Sequence, residues 1–167
     1  LRKLGRRRKA WVTDIEHANL NEEHIARALL DYEPFFDRFD PALVRGILKR
    51  TGVPAGIADQ IFHLYREVTR YIRVAGSFGA IIRQTNGIGQ GCSLSIIIAN
   101  LYVATLFRYL RKEFPELKLG AFLGDRNVTA ADAHALIKAL NAIQAFDAIA
   151  GHNTNISKSA VFTNDPA

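Results

Sequence analysis

The sequence predicts an α+β domain, because helical and extended patterns follow one another without regular alternation. Stretches with apolar residues every three or four positions indicate helices, and short alternating stretches beside glycine-containing turns indicate hairpins. A length of 167 residues is typical of one domain with its own core. Apolar residues make up 49% of the chain, which indicates a globular protein. We expect residues 1–20 to be a basic, loosely ordered segment and residues 21–167 to form the domain.

The domain begins with an apolar run at residues 26–30, which ends at Asp31. Its composition favours a helix, but a buried strand is also compatible with it, and the two alternatives stay open. A first helix is expected to start at Asp40, as its N-cap, and to stop at Gly52. A second helix should start near Pro54. Four apolar residues would share one side of this second helix, namely Ile57, Ile61, Leu64 and Tyr65.

Two hairpins, two longer helices and a strand are expected in the remainder of the chain. The expected elements are a hairpin at residues 71–83 with its turn at Gly76 and Ser77, a glycine-rich loop at 86–95 with a helix to about Lys112, a hairpin at 118–129 with its turn at 124–127, a helix from the Asp132 N-cap to Gly151, and a strand at 160–163.

The glycine-rich loop is the most unusual stretch. Three of the residues from 87 to 91 are glycines, which allow positive φ angles and a close approach of the backbone to a flat or bulky partner. Gln90 adds an amide that both donates and accepts hydrogen bonds. Ser93 or Ser95 is expected to cap the helix that follows. Because a loop of this kind is most often only a turn, its interpretation depends on its neighbours.

Positive charge is concentrated at the start of the chain. The net charge is +6, and the first nine residues contain six cations, so the rest of the chain is neutral. Such a segment suits phosphate backbones or nuclear import, although a solvated end without a specific role fits equally well. We expect an intracellular, nuclear protein. The residues predicted to bind nucleic acid are Arg6, Arg7, Arg8 and Lys9.

The composition argues against several other classes of protein. A single cysteine, Cys92, excludes an internal disulfide and a cysteine-based zinc site, and it indicates a reducing compartment. The sequence has no uncharged run of about 18 apolar residues, so we expect no membrane span and no membrane partner. The basic start lacks the apolar stretch of a signal peptide. The chain has no methionine and begins at Leu1, so we expect it to be a piece of a longer polypeptide.

Two aspartates suggest a metal site, because each lies at the end of an apolar segment: Asp31 and Asp125. Magnesium prefers carboxylate oxygens, and phosphoryl-transfer sites hold it with one or two carboxylates and substrate phosphates. If the two segments lie side by side, the carboxylates could share metals, as a two-metal polymerase or nuclease requires. Asp37, Asp40 and Asp132 are better explained as helix caps, and a plain turn residue is the alternative for Asp125.

Five segments, in order, resemble the reverse-transcriptase palm of LINE-like, non-LTR retrotransposons. Residues 31–37 resemble the first catalytic motif, and residues 43–54 resemble the helix and Gly-Val-Pro turn after it. Residues 85–100 resemble the Gln-Gly-Cys-Pro-Leu-Ser loop and its helix. Residues 122–125, Phe-Leu-Gly-Asp, stand where the family has Phe/Tyr-Ala-Asp-Asp. Residues 151–159 resemble the segment with Asn-x-x-Lys-Ser that closes the palm.

The resemblance implies an RNA-directed DNA polymerase that adds nucleotides to a primer 3′-hydroxyl. The implied fold is a palm, in which an antiparallel sheet packs on helices, with part of the fingers and without a thumb. The implied cofactors are two Mg²⁺ ions, with Mn²⁺ as an alternative. The implied partners are an RNA template, a DNA primer, a dNTP and the rest of a retrotransposon polyprotein, with its fingers, its thumb and, in some elements, an endonuclease.

The resemblance also implies roles for individual substrate-binding residues. Phe36 would lie under the sugar of the incoming nucleotide and exclude a 2′-hydroxyl, although a core position explains it equally well. Gln90 and Gly91 would contact the nucleotide and the template. Lys158 would lie near the triphosphate.

The implied metal ligands are the Asp31 carboxylate, the Tyr32 carbonyl and the Asp125 carboxylate. Gly124 stands where the family has its first, essential aspartate. Shifting the alignment by one residue would make Asp125 the first acid but would place Arg126 second, so one carboxylate is missing in either case. We therefore expect weak or no polymerase activity. The alternative is a catalytically dead relic that at most binds nucleic acid.

Overall fold

The computed structural model describes residues 16–18, 20, 21 and 23–164, and every structural statement refers to these residues. Residues 16–18 and 20 have helical backbone. The predicted nucleic-acid-binding residues 6–9 and most of the predicted loosely ordered segment lie outside the described residues.

Residues 26–163 form eight strands, four α-helices and a short 3₁₀ helix. In chain order these are β1 (Ala26–Leu30), β2 (Tyr32–Glu33), the 3₁₀ helix (Phe35–Arg38), α1 (Pro41–Arg50), α2 (Ala55–Arg66), β3 (Thr69–Val74), β4 (Ser77–Arg83), α3 (Ser93–Glu113), β5 (Lys118–Phe122), β6 (Asp125–Ala130), α4 (Ala133–Ile149), β7 (Asn153–Thr154) and β8 (Ala160–Thr163).

A four-stranded antiparallel sheet with the strand order β5-β6-β1-β8 lies at the centre of the fold. Two further pairs, β2 with β7 and β3 with β4, form separate two-stranded ribbons. One apolar cluster joins the sheet to the helices. An antiparallel sheet packed on helices confirms the predicted α+β class.

The apolar run at residues 26–30 is a strand and not a helix. It pairs with β6 on one side and β8 on the other, so it is an inner strand of the sheet. Ala26, Ala28 and Leu30 are buried on one face, and Arg27 is buried on the other, where its Nε donates to Thr129 Oγ1 at 2.8 Å. Burial on both faces gives a nearly continuous apolar run, which explains why its pattern did not distinguish strand from helix.

Both predicted aspartate caps of α1 and α4 are confirmed. Asp40 Oδ1 accepts from the N–H of Ala42 at 2.7 Å, and Asp132 Oδ1 accepts from the N–H of Ala135 at 2.7 Å. The predicted cap of α3 is wrong, because Cys92 occupies the N-cap position and neither serine side chain caps the helix. Instead, the Ser95 hydroxyl donates to the Cys92 carbonyl at 2.6 Å.

The predicted apolar side of α2 is only partly correct. Ala58 and Tyr65 are buried, whereas Ile57 and Leu64 are exposed. The side of the helix that the fold buries therefore differs from the side that hydrophobicity alone selects.

The turn of the β5–β6 hairpin is shorter than predicted. Phe122 pairs with Asp125, so only Leu123 and Gly124 form the turn, and Leu123 has a φ of 57°. Asp125 and Arg126 therefore belong to the strand. Pairing of β6 with both β5 and β1 stabilises the extended conformation of these polar residues.

Helix α3 crosses the core and buries one face, from Ser95 to Leu110. Among the described helices it is the one long and apolar enough to span a membrane by length and composition. Buried core helices pass the same test, so this property is weak evidence for a membrane span.

An aromatic cluster surrounds His152, which is 2% exposed. The imidazole ring stacks on Phe35, with 5.0 Å between ring centroids, and contacts Phe39 and Tyr102 at 4.8 and 4.9 Å. Neither ring nitrogen has a hydrogen-bond partner among the described residues. Burial lowers the pKa of His152 from 6.5 to about 4, so the neutral ring is the native form.

This burial predicts pH-dependent stability. The unfolded chain binds a proton at His152 below about pH 6.5, whereas the folded chain binds it only near pH 4, so the free energy of unfolding falls as the pH drops through this window. The loss is at most about 3 kcal/mol. His152→Phe keeps an aromatic ring in the cluster but cannot titrate. Urea unfolding of both proteins between pH 8 and pH 4 should show a smaller loss in the variant, and equal losses would contradict the assignment.

Candidate active site

Asp31 and Asp125 lie at the same end of two paired strands. Strands β1 and β6 are antiparallel, and Leu30 is the partner of Arg126. Asp31 follows the last paired residue of β1, and Asp125 precedes its partner on β6, so the two acids are neighbours at this end of the sheet. The fold thus brings together the two acids that the sequence singled out, while their role as metal ligands stays a prediction.

The turn that contains Lys158 holds the backbone of Asp31 in place. The N–H of Asp31 donates to Ser159 Oγ at 3.1 Å, and its carbonyl accepts from the N–H of Asn155 at 2.8 Å. The N–H of Lys158 donates to the Asn155 carbonyl at 3.2 Å and closes the turn. Lys158 is exposed and lies in the loop next to the acid pair.

The Tyr32 carbonyl has an orientation that suits the predicted ligand role. Tyr32 pairs with Thr154 of β7, and the backbone groups of an antiparallel strand alternate in direction. The Asp31 carbonyl is directed at Asn155 on the β7 side. The carbonyl of the next residue, Tyr32, is therefore directed away from β7.

On the helix side of the sheet, Arg126 and Asp147 form a buried ion pair that also contacts Tyr32. Arg126 Nη1 donates to both carboxylate oxygens of Asp147 at 2.8 and 2.9 Å, and also to the Tyr32 hydroxyl at 2.8 Å. The hydroxyls of Tyr32 and Tyr102 donate to Asp147 at 2.6 and 2.8 Å. Burial raises the pKa of both hydroxyls, so they stay protonated as donors. The guanidinium also lies 4.1 Å from the ring centroid of Tyr32.

The burial of Arg126 decides how the hairpin compares with the family motif. Side chains alternate between the faces of a strand, so Arg126, on the helix face with Asp147, points away from Asp125. An aspartate in place of Arg126 would therefore lie on the wrong face to share a site with Asp31. Gly124, the other position at which the resembling motif has an aspartate, lies in the turn between the two strands.

The space beside Gly124 is filled by Phe35. A Cβ atom on Gly124 would lie 3.1 Å from Phe35 Cβ and 3.3 Å from Phe35 Cγ, which is closer than ordinary van der Waals contact. Phe35 is 6% exposed and belongs to the aromatic cluster around His152, so it has little room to move. The turn is thus sterically adapted to glycine.

The glycine-rich loop packs on the 3₁₀ helix that follows the first acid. The N–H of Gly87 donates to the Phe39 carbonyl at 2.6 Å, and the N–H of Ile88 donates to the Phe36 carbonyl at 2.9 Å. Gly87 has a φ of 104°, and a Cβ atom there would lie 3.0 Å from the Cα of Asp37. Glycine at this position permits the contact. Phe36 is half-buried at this junction.

Gln90 and Gly91 follow this contact, and Gln90 lines an open cavity. Both residues are exposed, and Gly91 has a φ of 86°, which favours glycine. Gln90 Nε2 donates to Asp37 Oδ2 at 3.3 Å, and an Arg70 nitrogen lies 3.9 Å from Asp37 Oδ1. The interpretation of Asp37 as a helix cap is therefore wrong, because its carboxylate faces the loop and the next hairpin.

The cavity has a volume of about 550 Å³ and lies between α2, the loop and the β3–β4 hairpin. A hydrogen bond from the Tyr65 hydroxyl lowers the pKa of the Cys92 thiol at its wall. Polar and apolar groups both line it, including Asp37, Tyr65, Arg70, Gln84, Gln90 and Cys92.

The predicted site residues form two groups in the structure. Asp31, Tyr32, Asp125 and Lys158 gather around the end of β1, whereas Phe36, Gln90 and Gly91 lie at the loop. Sequence reasoning missed Asp37, Arg126 and Asp147 as structural partners of these groups. An aspartate in the apolar α4 was the one available signal for a buried pair. Within the described residues, no three His, Cys, Asp or Glu side chains are close enough to hold a metal ion together.

The buried ion pair predicts a large loss of stability for Asp147→Asn. Removing one partner leaves the Arg126 charge buried without compensation, which typically costs about 3–5 kcal/mol. The matched control is Asp59→Asn, because Asp59 forms half-exposed ion pairs with Arg45 and Lys49 and should matter much less. Urea unfolding measures the free energy of unfolding of both variants. Equal losses in the two variants would contradict the central role of the buried pair.

Comparison with known proteins finds the same fold in solved telomerase structures, among them two from Candida tropicalis and one from Candida albicans. The C. tropicalis telomerase with a telomeric RNA fragment has a TM-score of 0.69 and 14% identity, and the match covers 100% of this chain and 30% of that one. The truncated apo C. tropicalis telomerase gives 0.67 and 17%, covering 100% and 36%.

The C. albicans telomerase with telomeric RNA gives a TM-score of 0.63 and 14% identity, covering 86% of this chain and 27% of that one. This chain therefore spans about a third of the length of the telomerases it matches. The likeness confirms the palm-like fold. The profile of the family described as reverse transcriptase (RNA-dependent DNA polymerase) matches residues 3–166, and the chain therefore belongs to the reverse transcriptase family.

Proposed function

We propose that the chain is the palm of an RNA-directed DNA polymerase from a LINE-like, non-LTR retrotransposon and that it transfers nucleotides to a primer 3′-hydroxyl. The observation that carries this proposal is that Asp31 and Asp125 are neighbours at the end of β1 and β6, within a chain of the reverse transcriptase family. The order of the five motif-like segments supports the retrotransposon type. Template RNA, primer DNA and dNTP are the proposed partners.

The donor set at the acid pair fits a divalent metal ion. The Asp31 and Asp125 carboxylates and the Tyr32 carbonyl are hard oxygen donors, as Mg²⁺ prefers. Mg²⁺ is commonly held by one or two carboxylates with substrate phosphates as the other ligands. These residues supply ligands for one ion, whereas the carboxylate that a second ion needs is missing at Gly124. When bound, the ion would neutralise charge on the transferred phosphoryl group.

The chain's own groups would position the substrates around the acid pair. Lys158, on the turn anchored to Asp31, would attract the triphosphate. Phe36 would contact the sugar, and Gln90, held by Asp37, would contact the base or the template. Fixed placement of reactants is itself a large part of catalysis in phosphoryl transfer.

A second candidate function is nucleic-acid binding without catalysis. It is favoured by the packing of Phe35 against Gly124, because both positions depart from the family pattern, which has alanine and aspartate there. The side chain of Phe35 occupies the space into which an aspartate at position 124 would extend. Compared with the family pattern, Gly124 lacks the carboxylate ligand, and Phe35 fills the space that this ligand would occupy.

Primer extension distinguishes the two functions. With an RNA template, a DNA primer, dNTPs and Mg²⁺ or Mn²⁺, the first proposal predicts weak extension that Asp31→Asn abolishes. The double variant Phe35→Ala/Gly124→Asp should extend faster than the parent by more than the roughly 10–100-fold typical of outer-shell changes. Gly124→Asp alone should gain less, because Phe35 still occupies the space.

Phe35→Ala alone is the control for folding, since Phe→Ala in a core costs about 3–5 kcal/mol. Circular dichroism establishes whether each variant is folded. Absence of extension in every folded protein would contradict the polymerase proposal and leave binding as the function.

The basic start of the chain is proposed to bind phosphate backbones non-specifically. Changing Arg6, Arg7, Arg8 and Lys9 together to glutamine should weaken binding of a fluorescein-labelled duplex at about 50 mM salt and flatten its salt dependence. Fluorescence anisotropy measures both. Unchanged affinity and salt slope would assign the binding to the domain itself.

A further inference from the structure

The β3–β4 hairpin projects from the fold with both of its faces accessible. All residues of the two strands are exposed, and no other helix or strand of the described part of the chain packs extensively against them. Val74 and Ser77 pair across a two-residue turn, in which Ala75 and Gly76 have φ of 49° and 87°. Isolated two-stranded hairpins are marginally stable in water, so a ligand on one face would stabilise this one.

The two faces of the hairpin differ in their chemistry. Arg70 is on the inner face, where it lies 3.9 Å from Asp37 and lines the cavity beside Gln90. Tyr71, the next residue, is on the opposite side. We call this opposite side the outer face, and it carries Tyr71, Arg73, Phe78, Ile81 and Arg83.

Cross-strand pairs and ring contacts define the outer face. Tyr71 faces Ile81, and Arg73 faces Phe78. The rings of Tyr71 and Phe78 meet edge to face, with 6.1 Å between their centroids, and they are 52% and 68% exposed. The Arg73 guanidinium lies 5.4 Å from the centroid of the Phe78 ring. Arg83 faces Thr69, which is on the same side as Tyr71.

The charge of the hairpin is one-sided. Residues 69–83 contain three arginines and no acidic residue, although the chain after its first nine residues is neutral. Arg70 is near Asp37, but Arg73 and Arg83 form no ion pair with any described residue. Exposed aromatic rings next to unpaired arginines suit a ligand with flat bases and an anionic backbone. An apolar protein surface would leave both arginines without a partner.

We propose that the outer face of the β3–β4 hairpin binds single-stranded nucleic acid. Bases stack on Phe78 and Tyr71, and Arg73 and Arg83 contact phosphates. A single strand fits better than a duplex, because the bases of a duplex are already stacked on each other. This assignment goes beyond the proposed polymerase activity, since it concerns a surface on the far side of the hairpin from Asp37 and requires no nucleotidyl transfer.

The test is fluorescence anisotropy with a fluorescein-labelled oligothymidylate of roughly 15 nucleotides, within the size range of single-strand sites. The 167-residue chain is used without dNTP or metal, so an inactive polymerase does not affect the result. Tyr71→Ala/Phe78→Ala should raise Kd about tenfold or more. Arg73→Gln/Arg83→Gln should reduce the salt slope by about 1.4 between about 50 and 200 mM salt, the amount expected for two phosphate contacts.

The matched control is Arg108→Gln/Tyr109→Ala, which removes an arginine and an exposed aromatic ring from α3 and should leave Kd unchanged. All variants are also measured with glutamine at positions 6–9, so that the basic start of the chain does not mask the hairpin. Ultraviolet cross-linking of a bromodeoxyuridine oligonucleotide to the parent should label the peptide that contains Tyr71 or Phe78. Cross-linking uses the parent protein, so this measurement does not depend on whether a variant folds.

Parental affinity in both hairpin variants, or cross-links only outside residues 69–83, would overturn the proposal. Light scattering addresses the competing occupant, a second copy of the chain. A dimer that Tyr71→Ala/Phe78→Ala converts to a monomer, without a change in oligonucleotide affinity, would show that the outer face is a contact between copies and would likewise overturn the proposal.

Discussion

The pairing register of β1 and β6 is the constraint on which the candidate site depends. Side chains alternate with a period of two along a strand, so a slip of one residue would exchange the faces of every residue in β6. Asp125 would then turn toward the helices, and Arg126 would turn toward Asp31. The geometry of the acid pair is therefore a property of the whole sheet and not of the hairpin turn alone.

The buried ion pair is what makes that register unambiguous. Arg126 reaches Asp147 of α4 only when it lies on the helix face, and Tyr32 and Tyr102 supply the remaining hydrogen bonds of the carboxylate. A slipped strand would bury an arginine without its partner, which is strongly unfavourable. Tyr32 follows Asp31, and Arg126 follows Asp125. The hydrogen bonds of the buried ion pair therefore fix the ends of both strands on the helix side of the sheet.

Local signals made much of the fold predictable from the sequence. The Asp-Pro start of α1 and the Asp132 cap of α4 depend on neighbouring residues, and both were located correctly. The β3–β4 hairpin was also predicted, but its turn is at Ala75 and Gly76 and not at Gly76 and Ser77. The identity of residues 26–30 and the buried side of α2 were not predictable in this way. Both depend on what packs against the segment, which sequence periodicity does not contain.

The candidate site was predictable in its parts but not in its connections. The motif-like segments indicated Asp31 and Asp125, and the sheet register explains how distant segments meet. The contact of Asp37 with Gln90 and the burial of Arg126 depend on three-dimensional neighbours, so a charged residue in a short turn looked like a cap or a turn residue. Long-range partners of this kind are not encoded in spacing along the chain.

The contact between Phe35 and Gly124 couples the two positions energetically. Replacing Gly124 by aspartate would overpack the turn at a cost of about 1–3 kcal/mol. Replacing Phe35 by alanine would open a hole in the aromatic cluster. Each substitution alone therefore lowers the free energy of unfolding, whereas the double substitution adds volume at one position and removes it at its neighbour. The stabilities of the single and double variants are consequently not additive.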